Sequence, residues 1–203
     1  MIRRPAILTS ALAACVAVWS ACAQPGGSLR ELGSGGDPNV TPTQALGVDV
    51  EERLGERVPL DLPFVDSEGR TVPLGAYFNE GKPVVVAMVY YDCPIVCTIV
   101  MGQLTEAFKG IDFDIGEKYN VLFASIDPGE TPELAAETKA RLLASYGRPG
   151  AAGGWGFLTS PDTSSRTLAQ SLGWNYKPIA GGEYSHPVCI FICTPDGRIA
   201  RYV

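Results

Sequence analysis

The chain has 203 residues, of which 46% are hydrophobic, and this composition excludes a wholly disordered protein and predicts one compact core. Its 22 acidic residues outnumber its 16 Lys and Arg, so the net charge is −6. Because no run is rich in Lys or Arg, the sequence argues against nucleic-acid binding. Beyond the N-terminus no apolar stretch approaches the roughly 20 residues of a membrane-spanning helix. Membrane contact is therefore predicted only through the N-terminal segment.

Residues 1–23 have the pattern of a secretory signal peptide. An Arg pair at 3–4 precedes an apolar run, which ends at an Ala-Cys-Ala cleavage motif at 21–23. The pattern predicts export to the periplasm. Two alternatives stay open. One is lipid attachment at Cys15 or Cys22, and the other is an uncleaved segment that anchors the chain to the outer face of the inner membrane.

Residues 24–50 are rich in Gly, Pro, Ser and Thr and poor in large apolar residues, which predicts a flexible linker. The folded domain is predicted to span residues 51–203. It opens with an N-terminal hairpin extension, whose strands are predicted within residues 60–65 and 71–74 on either side of a turn.

A central strand and a helix follow this hairpin. Residues 83–91 (PVVVAMVYY) form a continuous apolar run without alternation, which is typical of a strand covered on both faces. After it, apolar residues recur four positions apart and predict the buried stripe of a helix. These residues are Val96, Val100, Leu104 and Phe108.

The second half of the domain continues this alternation of strands and helices. Residues 121–126 form a second buried strand, and Thr131 caps the helix that follows. With a closing hairpin, the order predicts an α/β sandwich of thioredoxin type, in which helices flank a central mixed sheet. The chain ends inside a predicted strand, which indicates a C-terminally truncated domain. The remaining elements are a strand at 155–158, a helix at 164–172 that Gly173 ends, and hairpin strands at 188–193 and 198–203.

Four cysteines lie beyond the leader, and the only histidine of the chain is His186. Cys93 and Cys97 lie where a strand passes into a helix, and the field of the helix N-terminus is expected to lower the pKa of a thiol there. Residues four apart on a helix have Cβ atoms roughly 5–6 Å apart, whereas a disulfide needs about 3.8 Å. The spacing suits a shared metal ion better than a disulfide and permits both.

Four segments carry recognisable motifs. They are VVVAMVYYDCPIVC, SIDPGETPE, GWGFLTS and EYSHPVCIFICTPDGRI. Together they resemble the Sco/SenC copper-chaperone family, from about Leu60 to the end of the chain. The specific feature is the combination of CxxxC with a distant histidine before a PDG turn. The resemblance implies a thioredoxin-like fold and a role in assembling the dinuclear copper site of cytochrome c oxidase.

The resemblance assigns copper binding to Cys93, Cys97 and His186. Two thiolates and one imidazole suit Cu(I), and the imidazole also accommodates Cu(II). The implied partners are the copper-site subunit of cytochrome c oxidase and other periplasmic copper carriers. The alternative to this metallochaperone is a periplasmic thiol–disulfide oxidoreductase. In that case the motif cysteines form a redox-active disulfide, with Cys93 as the attacking thiol and Cys97 as the resolving one.

Several residues near the motifs need separate interpretation. Asp127 follows a strand, as a matching acid does in the family. It is expected either to hydrogen-bond a ligand residue without binding the metal or to have a capping or turn role. Ser185 stands where many relatives have Asp before the histidine. Cys189 and Cys193 are additions, and on an extended strand they lie roughly 13 Å apart, too far to bridge each other. They are expected to be buried thiols outside the site, and pairing with a motif cysteine stays open.

Overall fold

The computed structural model describes residues 45–78, 81–94, 96–148, 150–160 and 162–203. The predicted leader at 1–23 and most of the predicted linker at 24–50 lie outside these residues. In the part of the chain that the structure describes, no helix is long and apolar enough to cross a bilayer.

The described residues form strands at both ends of the domain and alternating strands and α-helices in its middle. The strands are β1 (Asp49–Val50), β2 (Pro63–Asp66), β3 (Thr71–Pro73), β4 (Val84–Val89), β5 (Asn120–Ser125), β6 (Trp155–Thr159), β7 (Trp174–Asn175), β8 (Lys177–Pro178), β9 (Tyr184–Ser185), β10 (Ile190–Cys193) and β11 (Ile199–Tyr202). The helices are α1 (Val96–Lys109), α2 (Pro132–Tyr146) and α3 (Ser164–Ser171).

The central sheet is mixed. Among the described residues its seven strands lie in the order β11-β10-β4-β5-β6-β2-β3. The three inner strands β4, β5 and β6 run parallel. The strands on either side of them, β10 and β2, pair antiparallel. The thioredoxin-like α/β fold is thereby confirmed.

The parallel strands are buried, as their sequences predict. All six residues of β5 and five of the six in β4 are buried, which explains why neither run alternates. Both predicted hairpins are also present, since β2 pairs with β3 and β10 with β11. Strand β4, which precedes the predicted site, is hydrogen-bonded to β5 on one side and to β10 on the other.

Helix α1 is present where predicted, but its buried face differs from the predicted stripe. The buried residues are Cys97, Met101, Thr105 and Phe108. Of the predicted residues only Phe108 is among them, and Val96 is 43% exposed. The four-residue spacing is shared by two neighbouring rows of the helix, and the row that begins with the cysteine is the one that meets the sheet.

The predicted helix ends are confirmed by their geometry. The side chain of Thr131 accepts a hydrogen bond from the Leu134 N–H at 3.4 Å, with Pro132 in the first turn of α2. Helix α3 ends before Gly173, which has a φ of +65°. The residue types at both ends, Thr-Pro at the start of α2 and Gly after α3, are those from which the sequence predicted them.

Two short strand pairs are additions to the predicted fold. Strand β1 pairs with β7, so that Val50 lies opposite Trp174. Strand β8 pairs with β9, so that Pro178 lies opposite Tyr184. Residues 49–50 belong to the segment predicted as linker, and they pair with β7.

Candidate metal centre

The two motif cysteines lie just beyond the C-terminal end of β4. Cys93 is in the turn before α1 and is 6% exposed, whereas Cys97 is in the first turn of α1 and is 1% exposed. The Cys97 backbone N–H donates to Cys93 Sγ at 3.3 Å. The Thr98 hydroxyl donates to the Cys93 carbonyl at 3.0 Å. These bonds hold the Cys93 thiol against the start of the helix.

His186 lies near the cysteines because the strand that follows it, β10, pairs with β4. In the chain it lies between β9 and β10. Its Nε2 lies 3.6 Å from Cys97 Sγ, although the two residues are 89 positions apart in the chain. The structure thus brings the predicted residues Cys97 and His186 together and places Cys93 beside Cys97. Within the described ranges, no group of three Cys, His, Asp or Glu side chains is already arranged to hold a metal ion.

Two depressions meet at the half-buried imidazole. One has a volume of about 10 Å³ and is lined by Cys97 and His186 with residues of β4 and β10. The other has a volume of about 240 Å³ and is lined by Cys93 and His186 together with Tyr90 and Glu183. The imidazole therefore lines both a small space beside Cys97 and a larger one beside Cys93.

The family model of SCO1/SenC matches residues 52–203, which include all three predicted ligands. The chain belongs to the SCO1/SenC family. No curated protein matches the chain in sequence.

Solved structures similar to this SCO1/SenC protein share its fold. A candidate electron transfer protein from Aquifex aeolicus is 24% identical with a TM-score of 0.62, over 74% of this chain and 84% of that one. Copper-bound ScoI of Arabidopsis thaliana is 16% identical with a TM-score of 0.59, over 74% and 87%. BsSco, described with a disulfide switch as a member of the Sco family of cytochrome c oxidase assembly proteins, is 19% identical with a TM-score of 0.53, over 76% and 86%.

Burial determines the acidity of Cys97 in this SCO1/SenC protein. It raises the pKa of the thiol from the ordinary 9.0 to about 12, and a hydrogen bond from the Tyr90 backbone only partly opposes it. The expectation that the helix N-terminus lowers the thiol pKa is therefore wrong for Cys97. At neutral pH Cys97 is protonated, so a metal ion that binds there must displace its proton.

The two additional cysteines differ from each other in burial. Cys193 is fully buried in β10, and burial raises its pKa to about 12. Cys189 is half-buried, lines the smaller depression and donates to the Ile190 carbonyl at 3.8 Å. All four cysteines that the structure describes are thiols. The redox-active disulfide between Cys93 and Cys97 stays a prediction.

Glu130 is hydrogen-bonded to the loop that contains Asp92 and Cys93, a role that the sequence did not predict. Its carboxylate accepts the Asp92 backbone N–H at 2.7 Å and the Ser125 hydroxyl. Burial raises the pKa of Glu130, although these hydrogen bonds oppose the rise. The loop after β5 thereby holds the residue next to Cys93. In sequence, a glutamate just before a helix-capping Thr looks like a solvated turn residue.

Two residues interpreted from the sequence have local structural roles. Asp127 accepts the Gly129 N–H at 2.7 Å, which is the turn role that the sequence allowed. Ser185, which replaces the acid of many relatives, lies in β9 opposite Lys177.

An aromatic group surrounds His186, and it too was missed. The Trp174 ring lies 5.5 Å from the imidazole between centroids, and the Tyr90 ring meets it edge-on at 6.0 Å. The Tyr90 hydroxyl donates to Glu183 at 2.6 Å. Because these contacts join distant parts of the chain, no local sequence pattern signals them.

Proposed function

We propose that this SCO1/SenC protein binds copper through Cys93, Cys97 and His186 and delivers it to the dinuclear copper site of cytochrome c oxidase. The observation that carries the proposal is the approach of the only histidine to the motif cysteines, with His186 Nε2 3.6 Å from Cys97 Sγ. A sheet that pairs β10 with β4 has placed an imidazole beside a CxxxC motif.

The donor set fits copper. Thiolates are soft ligands that select Cu(I), and an imidazole suits both oxidation states of the metal. Copper is bound in the similar ScoI of Arabidopsis thaliana. Here the side chains of Cys93 and Cys97 supply the soft ligands and His186 supplies the nitrogen. The raised pKa of Cys97 slows the resolving step of the alternative thiol–disulfide exchange, because the thiolate is the form that reacts.

Delivery to a protein requires a surface on which that protein docks. Three large apolar side chains near the site are exposed, namely Val96 at 43%, Ile99 at 56% and Val188 at 61%. Exposed apolar groups beside a functional group are typical of protein interfaces. The proposed partner is the copper-site subunit of cytochrome c oxidase, and other periplasmic copper carriers are proposed as the source of the metal.

The proposed location is the periplasm. It rests on the secretory pattern of residues 1–23, with cleavage favoured over attachment to the outer face of the inner membrane. An exported protein meets copper sites that face the periplasm.

The test is an anaerobic titration of the reduced chain with Cu(I) against a competing chelator. We expect one-to-one binding in the wild-type protein. Cys93→Ala, Cys97→Ala and His186→Ala should each weaken it by more than the roughly 10–100-fold that loss of an outer partner of a ligand costs. The loaded protein is then mixed with the copper-free oxidase subunit, the two proteins are separated, and the copper content of each reports transfer.

Cys193→Ala is the matched control, because it also removes a buried thiol. Cys193 lies opposite Val84, at the far end of β4 from the motif. Its loss should leave Cu(I) affinity unchanged. Binding that is weak and indifferent to His186 would contradict the proposed function.

A further inference from the structure

One carbonyl oxygen beside the site is contacted by two ring nitrogens. The Trp174 indole Nε1–H donates to the Pro187 carbonyl at 3.1 Å. His186 Nδ1 lies 3.1 Å from the same oxygen. The Trp174 ring also lies against the imidazole, at an interplanar angle of 36°. Trp174 thus contacts both the imidazole of His186 and the Pro187 carbonyl to which that imidazole is hydrogen-bonded.

The identity of the acceptor determines where the imidazole proton lies. A carbonyl oxygen only accepts hydrogen bonds, so the nitrogen that bonds to it must carry the proton. In the neutral ring, a proton on Nδ1 leaves the lone pair on Nε2. Nε2 is the atom that faces Cys97 Sγ. The tautomer that this hydrogen bond favours is therefore the one whose lone pair points toward the cysteines.

We propose that Trp174 is a positioning residue for His186. By holding the Pro187 carbonyl in place through its N–H and by packing on the imidazole, it keeps Nδ1 within reach of that carbonyl and so keeps the ring in the Nδ1–H tautomer with Nε2 toward Cys97. The proposal deepens the copper-binding function proposed above and rests on it for its purpose. Outer partners orient metal-ligating histidines in this way. If the competent tautomer becomes only a fraction of the population, the apparent affinity is the intrinsic affinity multiplied by that fraction.

The fold holds Trp174 firmly in place. Trp174 is 1% exposed, and its strand β7 pairs with β1, where Val50 lies opposite it. The Glu51 N–H donates to the Gly173 carbonyl at 2.8 Å. A Cβ on Gly173 would lie 1.8 Å from the Glu51 carbonyl oxygen, so the contact requires glycine. The residues just before position 52, where the family match begins, thereby brace the tryptophan.

The test uses the fact that the chain has one histidine. Nitrogen-15 correlation spectra of the metal-free protein, at a pH where the imidazole is neutral, report its tautomer without ambiguity. Trp174→Phe keeps an aromatic ring and removes the indole N–H. Trp155→Phe is the matched control, because Trp155 is also 1% exposed and its Nε1 has no hydrogen-bond partner among the described residues.

We expect the Nδ1–H tautomer to predominate in the wild-type protein. Trp174→Phe should raise the Nε2–H tautomer and weaken Cu(I) binding on the order of tenfold, whereas Trp155→Phe should change neither. A wild-type spectrum dominated by Nε2–H overturns the proposal without any variant. So does an unchanged tautomer in Trp174→Phe, or an equal shift in Trp155→Phe.

The spectra need no metal, so this test is separable from that of the copper function. A chain whose tautomer shifts as expected but which binds no copper would refute the proposed function and retain the positioning of His186. A chain that binds copper with an unshifted tautomer in Trp174→Phe would do the reverse.

Discussion

Cys93 and Cys97 have the same spacing as Cys189 and Cys193, yet the two pairs differ in their surroundings. The first pair lies at the start of α1, where the N–H of one residue reaches the sulfur of the other. The second pair belongs to an extended segment, on which four residues span roughly 13 Å. The spacing of cysteines therefore has chemical meaning only within a known element. The nearby imidazole marks the first pair as the site.

The largest expected difference between the two cysteine pairs is their contribution to the pH dependence of Cu(I) binding. Cu(I) must displace the proton of Cys97, whose pKa is about 12. Below that value, apparent Cu(I) affinity should rise about tenfold per pH unit for each thiol proton displaced. Competition titrations across the neutral range measure this slope. Cys193→Ala should keep the wild-type slope, and affinity independent of pH would show that thiolates are not the ligands.

A smaller difference is expected in stability. Cys193→Ser places a hydroxyl in the fully buried part of β10, which should cost about 1–3 kcal/mol in the free energy of unfolding. Cys97→Ser should cost less, because its hydroxyl can donate to His186 Nε2. Denaturant unfolding measures both variants. Copper affinity should fall only in Cys97→Ser, and a fall in Cys193→Ser would erase the distinction between the pairs.

The smallest effect is expected from a change at Glu130, which is hydrogen-bonded to the loop before Cys93. Glu130→Gln leaves one carboxamide oxygen for the two donors that the carboxylate accepts, which should cost about 1 kcal/mol of stability. Cu(I) affinity should fall by less than about tenfold, because Glu130 acts through the loop before Cys93. Unfolding and chelator competition measure the two effects. Glu137→Gln, at an exposed position of α2, is the control, and equal effects in both variants would remove Glu130 from the site.

Local sequence patterns predicted the elements that long apolar runs or caps specify. Strands β4 and β5, the cap at Thr131 and the end of α3 at Gly173 follow from composition and turn chemistry. The two-residue strands β1, β7, β8 and β9 did not follow, because two residues are too few to show a period. Their pairing is decided by the rest of the fold.

The site was predictable in part. CxxxC and the distant histidine are visible in the sequence, whereas Trp174 and Glu130 act through contacts that only the folded chain makes. The pKa of Cys97 was predicted with the wrong sign because the sequence does not show how deeply this thiol is buried, and burial raises its pKa. A sequence motif shows in which element a side chain lies. How deeply that side chain is buried depends on tertiary packing.

The position of β4 in the sheet also determines how the two halves of the site move. Strand β4 is hydrogen-bonded to β5 on one side and to β10 on the other, so its amide hydrogens exchange with solvent only when the sheet opens. Cys93 follows β4, and His186 precedes the strand that pairs with it. The cysteine and histidine halves are thus attached to the same cooperative unit. Opening of this unit should therefore separate the histidine from the cysteines.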